Sequence, residues 1–473
     1  MTHLNRRHFL TGSAATFAGG TGMLGLLNQN KAWAADTSGY RALVCVFLFG
    51  GLDHADTVFP FDQPSYNLLA DVRDGLFDRY DSEDDEFSRD RDNLLPITPS
   101  NAADFGGRSF ALSPQMPEMQ ALFQSGEMAI VGNVGPLIEP TDRTSFDNET
   151  VQLPPRLFSH NDQQSTWMAL GVEGSRLGWG GQFSDAALAS DSTANSLFAS
   201  ISTRGNTVFL AGDTSQPFAA SNNGGTEELD ITERRFLLGG NSRFDAQRAA
   251  IEAFYNTRDF GSSGTMRRDF NSMIVGGIDN VRRFSAARDN LVPFSTVFPD
   301  SQLGRQLRTV AETIEVRNTL EVNRQIFFVG IGGFDTHSDQ AERLPGLQIQ
   351  VSQAINAFRD AMVERGLWND VTLFTASDFG RTTIDNGDGT DHGWGGHHFV
   401  LGGSVTGGRI LGDIPTPNVL SANYTPTSGR LIPSVSVEQY AATLGSWFGL
   451  NDDELNAALP NLSRFQNANL GFV

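Results

Sequence analysis

Short apolar runs recur along this chain, each bounded by small or polar residues. Ala42–Phe49 reads ALVCVFLF and Glu127–Val134 reads EMAIVGNV; further runs cover Ile326–Ile331, Val371–Ala376 and Phe399–Leu401. Runs of this length, rich in Val, Ile and Phe, predict strands buried on both faces. Between the third and fourth runs, Leu347, Val351, Ala354, Ile355, Phe358 and Met362 recur at helical spacing. Leu303, Leu307, Val310 and Ile314 do the same ahead of the third. Strand–helix–strand order favours parallel pairing. The expected fold is α/β, a mostly parallel central sheet with helices on both faces. The runs at Ala42, Glu127, Ile326 and Val371 are expected side by side. Loop insertions are expected around residues 60–110 and 185–290. One of them holds the charge-rich stretch Asp71–Asp92, which reads as a solvated surface loop.

The polar residues at the ends of these runs are chemically similar. Asp53 follows the first run, Asp335 and His337 the third, and Asp378 and Arg381 the fourth; Asp391, His392, His397 and His398 precede the fifth. Loops after parallel strands gather on one sheet edge, where ligands bind in such folds. Ser159, before His160, fits the N-cap of a helix. A hydroxyl there faces the positive end of the helix dipole. Carboxylates and imidazoles without a thiol suit Zn²⁺, Mn²⁺ or Mg²⁺. One or two such ions would activate a nucleophile such as Ser159 and hold a phosphoryl or sulfuryl group, with Arg381 forking onto the anion. Each residue also has a plain structural reading: Asp53 and Asp378 as turn or capping residues, Asp335-Thr-His337 as a hydrogen-bonded turn, Ser159 as a simple cap. His397 and His398 are strand neighbours and face opposite ways, so at most one is a ligand. His54 and His160 fit either reading.

The N-terminus changes where this chemistry would operate. Arg6-Arg7 precede Phe9-Leu10, a short Gly- and Ala-rich apolar run follows, and Ala32-Trp33-Ala34 fits a cleavage site. That is the layout of a twin-arginine signal over residues 1–34, which hands folded proteins to the twin-arginine export machinery. Residues 35–473 then form a single mature domain, periplasmic or secreted, with no stable membrane span. Losing Arg6, Arg7 and Lys31 takes the formal charge from −21 to −24 and removes the only lysine. A chain this acidic repels nucleic acid and anionic lipid and fits a saline habitat. Cys45, the only cysteine, excludes an internal disulfide.

Longer motifs point further. LFSHNDQQ at 157–164, GGFDTH at 332–337, SDFGR at 377–381, GTDHGWGGHH at 389–398 and VEQYAATLGSWFGL at 437–450 resemble the twin-arginine-exported bacterial family known as domain of unknown function 1501. That family is similar in turn to the alkaline phosphatase and sulfatase superfamily, which TLFTASDFG also resembles. The resemblance implies an alkaline-phosphatase-like fold and a metal-dependent hydrolase of small anionic esters. A non-catalytic binding or assembly protein on the same fold is the alternative. By chain order it implies Asp53 as the ligand after the first strand and Ser159 as the nucleophile. Asp335 and His337 would serve one metal, Asp378 the other, and His392 or His397 would be the late histidine. The acid–histidine pair is closer in sequence than the superfamily's, and Phe379 stands where a metal-binding histidine is common. The resemblance is therefore compatible with one metal or with none.

Overall fold

The computed structural model describes residues 35–191, 194–220, 265–289 and 291–473. The expected signal, its cleavage site and residues 192–193, 221–264 and 290 of the expected 185–290 insertion lie outside the described residues. Among the described residues no helix is long and apolar enough to cross a membrane.

The strands, in chain order, are β1 (Arg41–Leu48), β2 (Val58–Pro60), β3 (Leu95–Ile97), β4 (Phe110–Leu112), β5 (Met128–Gly135), β6 (Ser200–Ser202) and β7 (Phe218–Ala219). They continue with β8 (Arg324–Ile331), β9 (Val371–Ser377), β10 (Arg381–Asp385), β11 (Thr390–His392), β12 (Gly396–Gly402), β13 (Ile410–Gly412) and β14 (Val435–Ser436). The main sheet runs β13-β5-β12-β9-β1-β8-β6-β7, with β14 also on β5. β1 sits in the middle because both its faces are apolar. Ala42, Val44, Val46 and Leu48 pack with helices Pro117–Gln124, Gln302–Glu315 and Gln340–Glu364 on one side. Leu43, Cys45 and Phe47 pack with helices His160–Ala169, Trp179–Ser190 and Val437–Phe448 on the other. This is an α/β fold with a mostly parallel mixed sheet.

One expected adjacency is corrected. β5 does not neighbour β9: β12 lies between them and runs antiparallel to both. The cause is the hairpin of β10 and β11, which turns the chain back beyond the sheet edge. The next strand re-enters the sheet from that edge, running opposite to β9. His397 and His398 lie on this re-entering strand, which carries them into the interior. The charge-rich stretch is also more than a solvated loop. Asp81–Glu86 is exposed, but Arg73, Tyr80 and Arg89 are fully buried.

Register places the site. Leu48 of β1 pairs with Ile331 of β8 and Ser377 of β9, so all three strands end level. The loops beyond them approach closely at positions that lack a side chain, of which Gly50 and Gly380 are two. Gly50 has φ +117°, and a Cβ on it would lie 2.2 Å from the Asp335 nitrogen. A Cβ on Gly380 would lie 1.9 Å from the Gly395 oxygen. Glycine alone tolerates both demands.

Candidate metal centre

Three histidines converge above this edge. His160 opens the helix His160–Ala169, His337 sits in the loop after β8, and His392 ends β11. Each directs Nδ1 at an oxygen: His160 at Asp378 Oδ2 (2.6 Å), His337 at Asp391 Oδ1 (2.9 Å), His392 at the Phe158 carbonyl (2.7 Å). Carboxylate and carbonyl oxygens only accept, so each Nδ1 carries a proton, and in the neutral ring each Nε2 is left with its lone pair. Those lone pairs surround Asp335. His160 Nε2 is 3.4 Å from Oδ2, and His337 and His392 Nε2 are 3.2 and 3.4 Å from Oδ1. Ligand atoms of His160, Asp335 and His392 all lie within 4.8 Å of one another.

The arrangement suits a divalent cation. His160 Nε2 is buried without a hydrogen-bond partner, as is Asp378 Oδ1. The Nε2 atoms of His337 and His392 stand 2.8 Å apart. Two neutral imidazoles in these tautomers repel at that distance unless a proton or a cation stands between them. Metal-ligating histidines commonly hand the opposite N–H to a carboxylate or carbonyl, as all three do here. Burial raises the Asp335 carboxyl, but the Arg381 hydrogen bond and charge, with His160 and His337, outweigh it and hold the group below the usual carboxylate range. Burial pushes His392 down, against the pull of the Phe158 carbonyl and with the help of nearby positive groups. A neutral imidazole is the form that ligates metal.

The residues singled out in the sequence fall into three groups. Asp335, His337 and His392 meet at the centre. Asp378 stands one imidazole away; it holds His160 and accepts from Gln164 Nε2 at 2.9 Å. Arg381 is fully buried and committed to Asp335 Oδ1 (2.8 Å), the Gly50 carbonyl (2.8 Å) and Thr390. It orients Asp335 and does not face an incoming anion. Asp53 and His397 are placed elsewhere. Asp53 is gripped by both terminal nitrogens of Arg73 at 2.8 Å and accepts from Gln340 Nε2 at 2.7 Å. Its neighbour Asp56 is paired with Arg89 at 2.6 Å. Two arginines from the 60–110 segment thus supply the positive charge that a second cation would have provided. His397 is buried in β12; its Nδ1 accepts from the Asn133 backbone at 3.0 Å and its ring meets His54 edge-on. Ser159 caps its helix with extended backbone but makes no side-chain cap bond; its Oγ donates to Asp162 Oδ2 at 2.8 Å.

His160 was left open by sequence reasoning. Its signal is the spacing to Gln164: four residues apart on a helix means one face, and both side chains reach the same Asp378 oxygen.

Fold and site together define an α/β protein with a histidine-rich centre at the carboxyl edge of its sheet, where ligands gather in such folds. Residues 40–459 match the family described as protein of unknown function (DUF1501), and the chain belongs to that family. No curated protein matches it. Among solved structures it is similar to Ps i-CgsB in complex with k-i-k-neocarrahexaose (9% identity, covering 91% of this chain and 77% of that one, TM-score 0.36). Ps i-CgsB alone is similar too (9%, 89% and 77%, TM-score 0.35). So is a Bacteroides thetaiotaomicron structure, BT33494S-sulf, reported with the metabolism of multiple glycosaminoglycans (9%, 88% and 74%, TM-score 0.34).

Proposed function

We propose that this chain is an exported hydrolase of phosphate or sulfate monoesters that holds one divalent cation at His160, Asp335 and His392, with His337 beside them. The observation that carries the proposal is the shared orientation of three imidazoles, each anchored through Nδ1 and each offering Nε2 at Asp335. Imidazole ligands favour Zn²⁺ or Mn²⁺ over Mg²⁺. One ion rather than two follows from Arg73, which already satisfies Asp53. A cation held there supplies Lewis acidity to an ester oxygen.

The remaining work falls to side chains of this chain. Arg381 fixes Asp335, and Asp378 and Gln164 fix His160. Ser159 lies between Phe158, whose carbonyl anchors His392, and His160 itself. As nucleophile its Oγ attacks phosphorus or sulfur and its proton passes to Asp162. The bond from phosphorus or sulfur to the alcohol oxygen breaks, the alcohol leaves with a proton from solvent, and water hydrolyses the seryl ester. The non-catalytic reading, a periplasmic binding or assembly protein, is favoured by one observation: Arg381 already neutralises Asp335.

Metal content of protein purified without chelator, followed by a screen of phosphate and sulfate monoesters, separates the two. The hydrolase reading expects about one equivalent of metal and chelator-sensitive hydrolysis. It also expects Ser159→Ala to keep the metal and lose hydrolysis by about a thousandfold or more. Metal-free protein that hydrolyses no ester sinks the reading.

A further inference from the structure

A cation with open donors lies next to this centre, and the chemistry so far leaves it unused. Arg430 follows the Ser428-Gly429 turn, at which Ser428 and Gly429 both have positive φ. Its Nε donates to the backbone carbonyl of His392 at 2.7 Å. Its guanidinium carbon lies 4.2 Å from the centroid of the Phe158 ring. Phe158 is itself the residue whose carbonyl anchors His392 Nδ1. It holds that position at φ +73°, a conformation costly for a bulky residue, with its backbone N–H donated to the Gln163 side chain. Arg430 therefore rests on the same two residues that orient one of the candidate ligands.

What distinguishes Arg430 is what it does not touch. Arg73, Arg89 and Arg381 are buried and spend their donors on Asp53, Asp56 and Asp335. Arg156 pairs with Asp162. Arg430 is half-buried, and among the described residues its terminal nitrogens make neither a hydrogen bond nor an ion pair. Stacking and the Nε bond fix the plane of the guanidinium, so its outer edge is a preset fork of N–H groups. Such a fork matches two oxygens of a tetrahedral oxyanion. Fixing it in advance lowers the entropy lost when an anion docks.

We propose that Arg430 is the anion-recognition residue of this site, gripping the non-bridging oxygens of a phosphate or sulfate group while Phe158 forms the wall against which that group sits. The proposal rests on the hydrolase reading for the ester, but anion binding itself is testable without turnover. The role explains how a chain of formal charge −21 accepts an anionic substrate: the positive charge is local and held in one orientation.

The test is the binding of inorganic phosphate and of sulfate to the full-length mature protein by titration calorimetry. It is run on wild type, Arg430→Gln and Arg430→Lys, with metal content and melting temperature measured for each. Arg430→Gln is expected to keep metal stoichiometry and fold and to weaken anion binding by about tenfold or more, the usual effect of losing a charge-assisted pair. Arg430→Lys, which keeps charge but loses the fork, is expected to recover part of it. With any hydrolysed ester, the loss should appear chiefly in KM. Equal anion affinity in wild type and Arg430→Gln, with both variants folded, overturns the proposal. So does wild type that binds neither anion. Wild type that lacks metal yet binds phosphate through Arg430 leaves the recognition role standing and removes the hydrolase reading instead. A preference between phosphate and sulfate identifies which ester the site serves.

Discussion

Asp53 and Asp335 look alike in the sequence, and the structure gives them opposite duties. Both follow a buried strand and a glycine pair. Asp53 is 1% exposed and bonded through both oxygens to a fully buried arginine; Asp335 is 43% exposed and ringed by imidazoles. Asp53→Asn is expected to leave metal content unchanged and to cost about 3–5 kcal/mol in urea unfolding, because the Arg73 charge stays buried without its partner. Asp335→Asn is expected to do the reverse. Metal affinity should fall about a hundredfold or more, while stability should fall by less than in Asp53→Asn, because Asp335 is open to solvent and its pair with Arg381 is partly screened. If chelator titration shows Asp53→Asn losing the metal, the assignment of the two acids is inverted. The sequence could not separate them, because what separates them is Arg73, twenty residues further on in a stretch whose acidity made it look solvated.

At the level of elements, the pattern of apolar runs was a good guide to strands and a partial guide to their order. β1, β8 and β9 lie together as their two-sided hydrophobicity requires, and helices cover both faces. The reversal at β12 was not legible. It depends on the β10–β11 hairpin, whose residues are polar and whose pairing is irregular. That reversal buries His397 and His398 and brings His397 against His54. Burial pushes His54 down to about 4 and His398 to about 3, and it lowers His397 well below the ordinary range. Folded-state values below the unfolded value of about 6.5 mean that the unfolded chain binds protons first. Their stabilisation is complete above about pH 6.5 and is lost as pH falls toward 4. Each buried ring adds a slope of up to about 1.4 kcal/mol per pH unit in that window. Unfolding free energies measured between pH 7 and 4.5 should fall steeply, and His398→Gln should flatten the curve. An unchanged slope in that variant would refute the assignment.

Across the whole molecule, the N-terminal sequence predicts export by the twin-arginine route. Arg6-Arg7 with Ala32-Trp33-Ala34 motivates it. Changing both arginines to lysine should hold the precursor in the cytoplasm, read by fractionation and the size of the product. Mature protein outside the cytoplasm at the wild-type level would end the idea. That route carries folded chains, and here the wide scatter of the site along the sequence gains a temporal meaning. The candidate ligands come from residues 160, 335 and 392, and none has its neighbours until the strand ending at Ser377 has joined β1. If these residues hold a cation as proposed, a ribosome must finish about four-fifths of the polypeptide before all three are present. Premature termination, or a stall anywhere before His392, yields a product lacking one of the candidate ligands. On that reading, metal uptake would report that synthesis had passed His392.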